Sequence, residues 1–329
     1  MARIVNYKGL GYDDIGIVPS APSKVSSRSE IPLEGYRIIV AGMTSIICEE
    51  FLKEWAQLPK ELRCSIHIPR DKYSIEHLKL IANWKLQDWI WVGVGLKTPE
   101  IENIALELGY KNILIDIAHG GLKDLDKHYN RLKIKFGVDS KIVVGSIATQ
   151  EQAHYLQQIG FDGVRSGIAG GNVCSTKYIS GVHIKVASEL MNLHEYLSGS
   201  DTFILADSGF KYPGDFAKAF LLGASYCMSG YIFTKCKNAR MHIDGTNQYY
   251  GMSDKNLGCR AGQTEYSEAL KKKIDNSNLK SLYDILMIVW GGVRSAVSYS
   301  GFSNLNEAIG EGEFCIFNTP LEPNLSVWD

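Results

Sequence analysis

Eight short apolar segments recur along the chain, a few tens of residues apart, and their spacing constrains the fold more than any other feature. Each segment has the length of a buried strand, and a stretch compatible with a helix follows it. Strands that alternate with helices form parallel sheets, and eight such units close a (β/α)8 barrel. We therefore predict an α/β fold, a TIM barrel forming a single domain over residues 1–329, with strands at residues 36–41, 64–67, 89–94, 112–116, 141–145, 163–166, 202–206 and 224–228.

Helical periodicity is clearest at residues 74–84, 98–108, 149–159 and 212–222. Thr98 stands at a cap position, and Gly160 and Gly223 follow two of these segments, where a residue with positive φ ends a helix. A last helix is predicted near residues 279–289. In such a barrel the loops after the carboxyl ends of the strands carry the function.

Composition excludes several classes of partner. The chain has 35 basic and 36 acidic side chains and a formal charge of −1, so its net charge does not favour nucleic acid or a membrane surface. Its seven cysteines form no C-x-x-C pair, which argues against zinc and a disulfide framework and favours a reducing, cytoplasmic location. The first residues lack the apolar run of a signal peptide.

A glycine-rich loop at residues 167–176 follows the sixth predicted strand. Its glycines permit positive φ and expose backbone N–H groups, as anion-binding loops do. Cys174 becomes a nucleophile there if the local field lowers its pKa, and Thr176 places a hydroxyl two residues later. The alternative is an inert, buried cysteine.

Other polar residues stand at the predicted strand ends, and the barrel would bring them to one rim. Asp116 and Asp207 are candidate ligand-binding acids, although an acid at such a place also caps or turns the chain. A lone histidine such as His67 is more often structural. The remaining members of this set are Met43, His119, Ser146, Gly209, Ser229 and Gly230.

Residues 236–276 break the rhythm of the barrel. This segment is polar, rich in Gly, Asn and Lys, and without a convincing apolar period, which predicts a lid inserted after the eighth strand. A merely solvated loop is the alternative. Within it, Tyr249 and Tyr250 precede Gly251, which lets the backbone approach a planar ligand.

These motifs together resemble the GMP reductase and IMP dehydrogenase family, over nearly the whole chain. The resembling stretches are residues 11–19, 66–74, 114–120, 143–146, 167–176, 206–209, 212–215, 228–230, 249–253 and 291–295. The resemblance implies a thiolate that adds to C2 of a purine nucleoside 5′-monophosphate, and hydride transfer between C2 and a nicotinamide.

The resemblance also implies roles for individual residues. Cys174 would be the nucleophile, Thr176 would assist proton transfer, and Asp207 would accept both ribose hydroxyls. The other implied substrate-binding residues are Gly171, Asn172, Gly209, Gly230, Tyr231, Tyr249, Gly251, Met252, Ser253 and Arg260. The implied cofactor-binding residues are His67, Asp116, Ala118, His119 and Gly120.

The direction of the reaction is predicted from what surrounds these motifs. The barrel continues without an inserted regulatory region, and the lid has no Arg-Tyr step of the kind that activates water in the dehydrogenase. The resemblance therefore favours an NADPH-dependent GMP reductase, assembled as a homotetramer, with a possible K⁺ on the backbone near Gly170. The alternatives are a short IMP dehydrogenase and a catalytically impaired nucleotide-binding barrel.

Several positions depart from the family pattern. The reductase carries a lid acid that helps ammonia leave, and here Gln263 matches its local context whereas Glu268 supplies the carboxylate. Ala169 replaces a usual glycine, Asn172 a usual serine and Ser146 a usual asparagine. These departures leave open a related nucleotide as substrate.

Overall fold

The computed structural model describes residues 9–252 and 270–320. Eight parallel strands form a closed barrel in chain order, and the last pairs with the first, with Ile39 opposite Met228. All eight predicted strands are confirmed. They are β2 (Ile38–Val40), β3 (Ser65–Ile68), β4 (Ile90–Val94), β5 (Asn112–Asp116), β6 (Lys141–Ile147), β7 (Gly163–Ser166), β8 (Phe203–Asp207) and β9 (Tyr226–Ser229).

Helices surround the barrel and bury their apolar faces against its strands. The longer ones are α1 (Glu49–Ala56), α2 (Ser74–Asn83), α3 (Pro99–Glu107), α4 (Leu125–Phe136), α5 (Gln150–Ile159), α7 (Val186–Leu197), α8 (Pro213–Leu221) and α10 (Leu282–Tyr299). Short helices are α6 (Thr176–Ile179), α9 (Arg240–Ile243) and α11 (Leu305–Ala308). Among the described residues, no helix combines the length and apolarity needed to cross a membrane.

The helix ends show why these segments stop and start where they do. Thr149 caps α5 by accepting a hydrogen bond from the backbone N–H of Gln152 at 3.2 Å. Gly160 and Gly223 have φ values of +99° and +109°, which confirms the predicted helix-ending glycines. Thr98 occupies the cap position of α3, but its hydroxyl accepts from the N–H of Gly95 rather than from the first turn.

The last long helix differs from its prediction at both ends, because α10 spans Leu282–Tyr299 instead of residues 279–289. The pair Gly291 and Gly292 lies inside it without ending it. A Cβ atom on Gly292 would come within 2.7 Å of the Pro213 side chain, so this glycine allows α10 to approach α8. Close helix packing outweighs the low helix propensity of glycine here.

Side chains fill the barrel interior. An interior cluster includes Ile39, Leu114, Val143, Leu205 and Met228. At the amino-terminal ends of their strands, three aromatic rings pack against one another with centroids 5.1 to 6.1 Å apart: Trp91, Phe203 and Tyr226. These rings close the lower end and leave the carboxyl ends of the strands for a site.

Two antiparallel ribbons lie outside the barrel. Strand β1 (Ile15–Ile17) pairs with β12 (Phe314–Ile316), and β10 (Gln248–Tyr250) pairs with β11 (Lys271–Lys273). The second ribbon belongs to the predicted lid region. It begins after β9 and the short 3₁₀ helix Tyr231–Lys235, on the side of the barrel where the strands end.

Candidate active site

A cavity opens at the carboxyl ends of the strands and gathers most of the predicted residues. Polar groups from β3, β5, β7, β8 and β9 meet in it, together with the loop that carries Cys174. The predicted residues that line it are His67, Asp116, Ala118, Gly171, Asn172, Cys174, Thr176, Asp207, Gly209, Gly230, Tyr231, Tyr249, Gly251 and Met252. The roles assigned to them stay predictions.

Three predicted residues lie beside the cavity rather than on its wall. His119 is exposed, and its Nδ1 lies 3.1 Å from the Gln152 amide nitrogen. Gly120 is buried, and its N–H donates to the carbonyl of Ser146 at 2.7 Å. Gly170 lies within the loop, where its N–H donates to the carbonyl of Gly167. These residues shape the rim and the loop without facing the cavity.

The remaining predicted residues are in the stretch 253–269. Ser253, Arg260, Gln263 and Glu268 therefore lie outside the described residues.

Glycine at position 167 is required by the way the loop leaves β7. Gly167 has φ of +103°, and a Cβ atom there would overlap the carbonyl oxygen of Asp207. Ala169 has φ of +60°, a conformation that favours glycine. The N–H of Cys174 then donates to the carbonyl of Gly171 at 3.2 Å, which turns the thiol toward the cavity.

The thiol of Cys174 donates to the hydroxyl of Thr176 at 3.2 Å. Both side chains line the cavity, and Cys174 is partly exposed. Cys48 and Cys64, by contrast, are buried. Cys174 thus combines access to a ligand with a hydroxyl that can take up or return a proton.

An arginine that the sequence analysis missed connects two predicted acids. Arg165 points from β7 between Asp116 and Asp207, with nitrogen–oxygen distances of 2.8 Å and 3.7 Å. Arg70 lies 3.7 Å from the other oxygen of Asp116. Arg165 stands in a strand of four buried residues, and a buried arginine needs an acidic partner. That pattern is the sequence signal that could have identified it.

Asp207 has an unusual protonation equilibrium for an aspartate. Burial raises the pKa of Asp207 to about 6, and the negative charge of Asp116 raises it as well. The Arg165 guanidinium and the Ser208 N–H oppose that rise. The Asp207 carboxylate is therefore ionised at neutral pH and protonated in mild acid. Its side chain is 23% exposed, so a ligand can reach it.

His67 is held in place by two glycines. Its side chain is 3% exposed, and its Nδ1 accepts a hydrogen bond from the N–H of Gly42 at 3.3 Å. A Cβ atom on Gly42 would lie 2.7 Å from Nδ1, and one on Gly93 would lie 2.6 Å from Nε2. Because Nδ1 accepts a hydrogen bond, the ring is the neutral tautomer that carries its proton on Nε2. The ring thus forms a fixed part of the cavity floor.

Two tyrosines also line the cavity. The rings of Tyr231 and Tyr249 lie with centroids 6.5 Å apart, and the Lys272 ammonium lies 5.1 Å from the Tyr231 ring. Burial raises the pKa of Tyr249 well above its ordinary value, so its phenol remains a donor. A Cβ atom on Gly230 would overlap the Tyr249 hydroxyl. The wall therefore offers donors suited to an anionic group.

The two ends of the lid segment meet the site. The N–H of Leu270 donates to the carbonyl of Val173 at 2.9 Å, one residue before the thiol. Gly251 donates to the carbonyl of Leu270 at 3.3 Å, and the sulfur of Met252 lies 3.3 Å from the N–H of Thr44. Residues 252 and 270 are thus both anchored at the cavity.

A family model described as the IMP dehydrogenase / GMP reductase domain matches residues 90–319. The chain belongs to this family. The matched region runs from β4 to beyond β12 and contains the Cys174 loop, Asp116, Arg165 and Asp207, and most of the residues that line the cavity lie within it.

Two kinds of relative within the IMP dehydrogenase / GMP reductase family match the chain to different extents. Human GMP reductase 1 is 28% identical over 334 residues, covering 93% of this chain and 94% of that protein. The GMP reductase of Yersinia enterocolitica is 27% identical with the same coverage. The inosine-5′-monophosphate dehydrogenase of Aquifex aeolicus is 27% identical over 236 residues. The match spans about half of that dehydrogenase, 48% of its length.

Proposed function

We propose that this protein converts GMP to IMP and ammonia, with NADPH as the hydride donor. The observation that carries the proposal is the Cys174–Thr176 pair, 3.2 Å apart, in the same cavity as Asp207. The match to GMP reductases over 93% of the chain supports the reductive direction. In the balanced reaction, GMP, NADPH and one proton give IMP, ammonia and NADP⁺: C2 gains the hydride, and the 2-amino group leaves with the proton.

The nucleotide's polar groups have partners at separate places in the cavity. The ionised carboxylate of Asp207 suits the two ribose hydroxyls, because its two oxygens accept from a cis-diol. Backbone N–H groups of the glycine-rich turns and the phenols of Tyr231 and Tyr249 suit the phosphate. The purine would then extend toward Cys174 and Met252. Ser253 and Arg260 remain predicted partners of the nucleotide.

Cys174 acts on the purine in this proposal. Its thiolate forms a bond to C2, and the pair of electrons from the C2–amino bond leaves with the amino group, which takes up a proton. Thr176 positions that proton through its contact with the Cys174 sulfur. The sulfur leaves as a thiolate after C2 has been reduced, so the enzyme is regenerated.

The covalent chain favours Glu268 over Gln263 as the lid group that assists departure of ammonia. Leu270 is tied by a hydrogen bond to Val173, next to the nucleophile. Glu268 is two residues before Leu270 in the sequence. Gln263 is seven residues away and carries an amide, which cannot supply a full proton.

The cofactor would bind where the cavity reaches the rim at Asp116 and Ala118. Ile117 and Ala118 present small apolar surfaces on the same cavity as Cys174, and Ala118 is exposed, so the residues fit a flat ring that enters from the rim. When bound there, NADPH supplies the hydride. His119 and Gly120 would border it. The monovalent cation near Gly170 and the homotetramer remain parts of the proposal.

The test compares two substrate pairs with one purified protein. GMP plus NADPH and, separately, IMP plus NAD are incubated with the full chain while the absorbance of the reduced nicotinamide is followed and ammonia is assayed. Loss of absorbance with equal release of ammonia in the first reaction supports the proposal. A rise in absorbance with IMP and NAD alone would identify a short dehydrogenase. No change in either reaction would contradict both enzymes and leave a binding protein.

A further inference from the structure

Helix α7 carries a carboxyl group that is sealed from solvent behind the active-site loop. Glu189 is 0% exposed. One of its oxygens, Oε1, accepts a hydrogen bond from the N–H of Gly167 at 2.5 Å. The other, Oε2, has no hydrogen-bond partner within the described parts of the chain. Burial of an acid with a single neutral donor lowers the stability of the fold. We therefore asked what this carboxyl group does.

The group that Glu189 contacts is the peptide at which β7 becomes the nucleophile loop. The carbonyl of Gly167 accepts from the N–H of Gly170 at 3.3 Å and from the hydroxyl of Ser208 at 3.4 Å. Its Cα packs against the backbone of Asp207 so closely that no Cβ fits. With the Glu189 contact, both polar groups of Gly167 are fixed, and so is the direction in which the loop leaves the barrel.

Among the described residues, none of the titratable groups that influence Glu189 is a cation. Asp207 at the end of β8 and the phenol of Tyr12 from the amino-terminal segment are its titratable neighbours. Burial raises the pKa of Glu189 well above its ordinary value, and the charge of Asp207 raises it further, whereas the Gly167 N–H opposes the rise. Burial therefore favours the neutral form of this carboxyl.

A second buried glutamate in this chain shows the opposite arrangement. Glu102 on α3 is also 0% exposed, but two cations accompany it. Arg131 reaches it with nitrogen–oxygen distances of 2.5 Å and 3.0 Å, and Lys135 lies 3.3 Å away. Glu102 does not line the cavity formed by the described residues, and both of its cations come from α4. The two residues make a matched pair for substitution.

We propose that Glu189 is a positioning residue that holds the Gly167 peptide, and through it the loop bearing Cys174, in the orientation used for attack on the purine. The role in the reaction rests on the proposed function, whereas the role in the loop does not. The Glu189→Gln variant should preserve this role, because its amide has the same shape and keeps an oxygen that accepts a hydrogen bond from the Gly167 N–H. A side chain without that oxygen should release the loop.

The first experiment measures melting temperature against pH for the wild type, Glu189→Gln and Glu102→Gln. An acid whose pKa is raised by folding stabilises the fold fully below its unfolded pKa of about 4.3, and that contribution is lost as pH rises. Glu189→Gln should therefore melt above the wild type by a margin that widens from about pH 4.3 toward neutrality. Glu102→Gln should melt below the wild type at neutral pH, because two cations lose their counter-charge. If Glu189→Gln melts below the wild type by a margin that does not depend on pH, the result would contradict a raised pKa for Glu189.

The second experiment follows the loop directly through its thiol. The rate of alkylation of Cys174 by iodoacetamide is measured by peptide mass mapping in the wild type, Glu189→Gln and Glu189→Leu, with GMP turnover recorded in parallel. The leucine variant should show a changed alkylation rate and a fall in kcat of tenfold or more, and the glutamine variant should match the wild type. Wild-type alkylation and turnover in Glu189→Leu would overturn the proposal. If the wild type itself fails to turn over GMP, the proposed function fails, and alkylation and melting still decide the role of Glu189.

Discussion

The Arg165 guanidinium donates to the Asp116 carboxylate at 2.8 Å, with the two side chains only 8% and 14% exposed. The same guanidinium lies 3.7 Å from Asp207. One cation therefore stands between an acid at the end of β5 and an acid at the end of β8. In the proposed function, these acids belong to the cofactor side and the nucleotide side of the cavity.

Replacement of Arg165 by Met should weaken both sides at once. Without the Arg165 cation, the pKa of Asp207 should rise above about 6, and Asp116 should keep the more distant Arg70 guanidinium. We expect a higher KM for GMP and an acid limb of kcat/KM displaced to higher pH. Arg63→Met is the control. The Arg63 guanidinium donates to the carbonyls of Ala56 and Leu58, and neither residue lines the cavity. An unchanged pH profile in Arg165→Met would contradict the linkage.

The activity should fall in mild acid because Asp207 must be ionised to accept the ribose hydroxyls. Its pKa of about 6 in the fold predicts that kcat/KM declines as pH falls through about 6. The phosphate of the nucleotide titrates in the same range. The Asp207→Asn variant distinguishes the titration of Asp207 from that of the phosphate. Its kcat/KM should be low at every pH, and the remaining decline in acid should be the one that the phosphate causes. A pH profile in the wild type that is flat from 5 to 7 would rule out this role.

Two neighbouring loop positions should respond in opposite ways to substitution. Gly167→Ala places a Cβ where the Asp207 carbonyl lies and should lower both the melting temperature and GMP turnover. Ala169→Gly removes a side chain from a residue with φ of +60°, and relief of about 1–2 kcal/mol of strain offsets the added backbone entropy of about 0.5–1 kcal/mol. Thermal melting should therefore show Ala169→Gly at or above the wild type. A clear loss of stability in Ala169→Gly would mean that this loop conformation is wrong.

The two candidate lid residues can be told apart kinetically. Glu268→Gln removes the proton donor and should lower kcat for release of ammonia by about 10²–10⁴-fold, with KM for GMP little changed. Gln263→Ala should have a smaller effect. The comparison is made at saturating GMP and NADPH. A larger fall in kcat for Gln263→Ala would transfer the role to Gln263.

Much of the barrel could be predicted from sequence because its signals are local. Each buried strand is a short apolar run, and glycine at positions 160 and 223 marks helix ends by its own φ. The last helix extends beyond its predicted end because Gly292, a poor helix former by propensity, allows a packing contact in the fold. That contact depends on Pro213, far away in the sequence.

The site was predictable where a residue stands at a strand end, and not where its role depends on distant partners. Cys174, Asp116 and Asp207 were found because the barrel rule places strand ends on one rim. Arg165 and Glu189 were missed because both look like exceptions inside apolar segments until the residues they contact are known. Their partners come from other β-α units, and no local pattern encodes those contacts.

The central claim is that the sulfur of Cys174 bonds to the purine, and turnover by Cys174→Ala tests it most directly. GMP-dependent oxidation of NADPH is measured in this variant and in the wild type, and GMP affinity is measured by calorimetry to show that the cavity is intact. The account predicts turnover lower by at least about 10³-fold, with the affinity for GMP largely kept. Substantial turnover by Cys174→Ala with normal GMP binding would contradict the covalent mechanism.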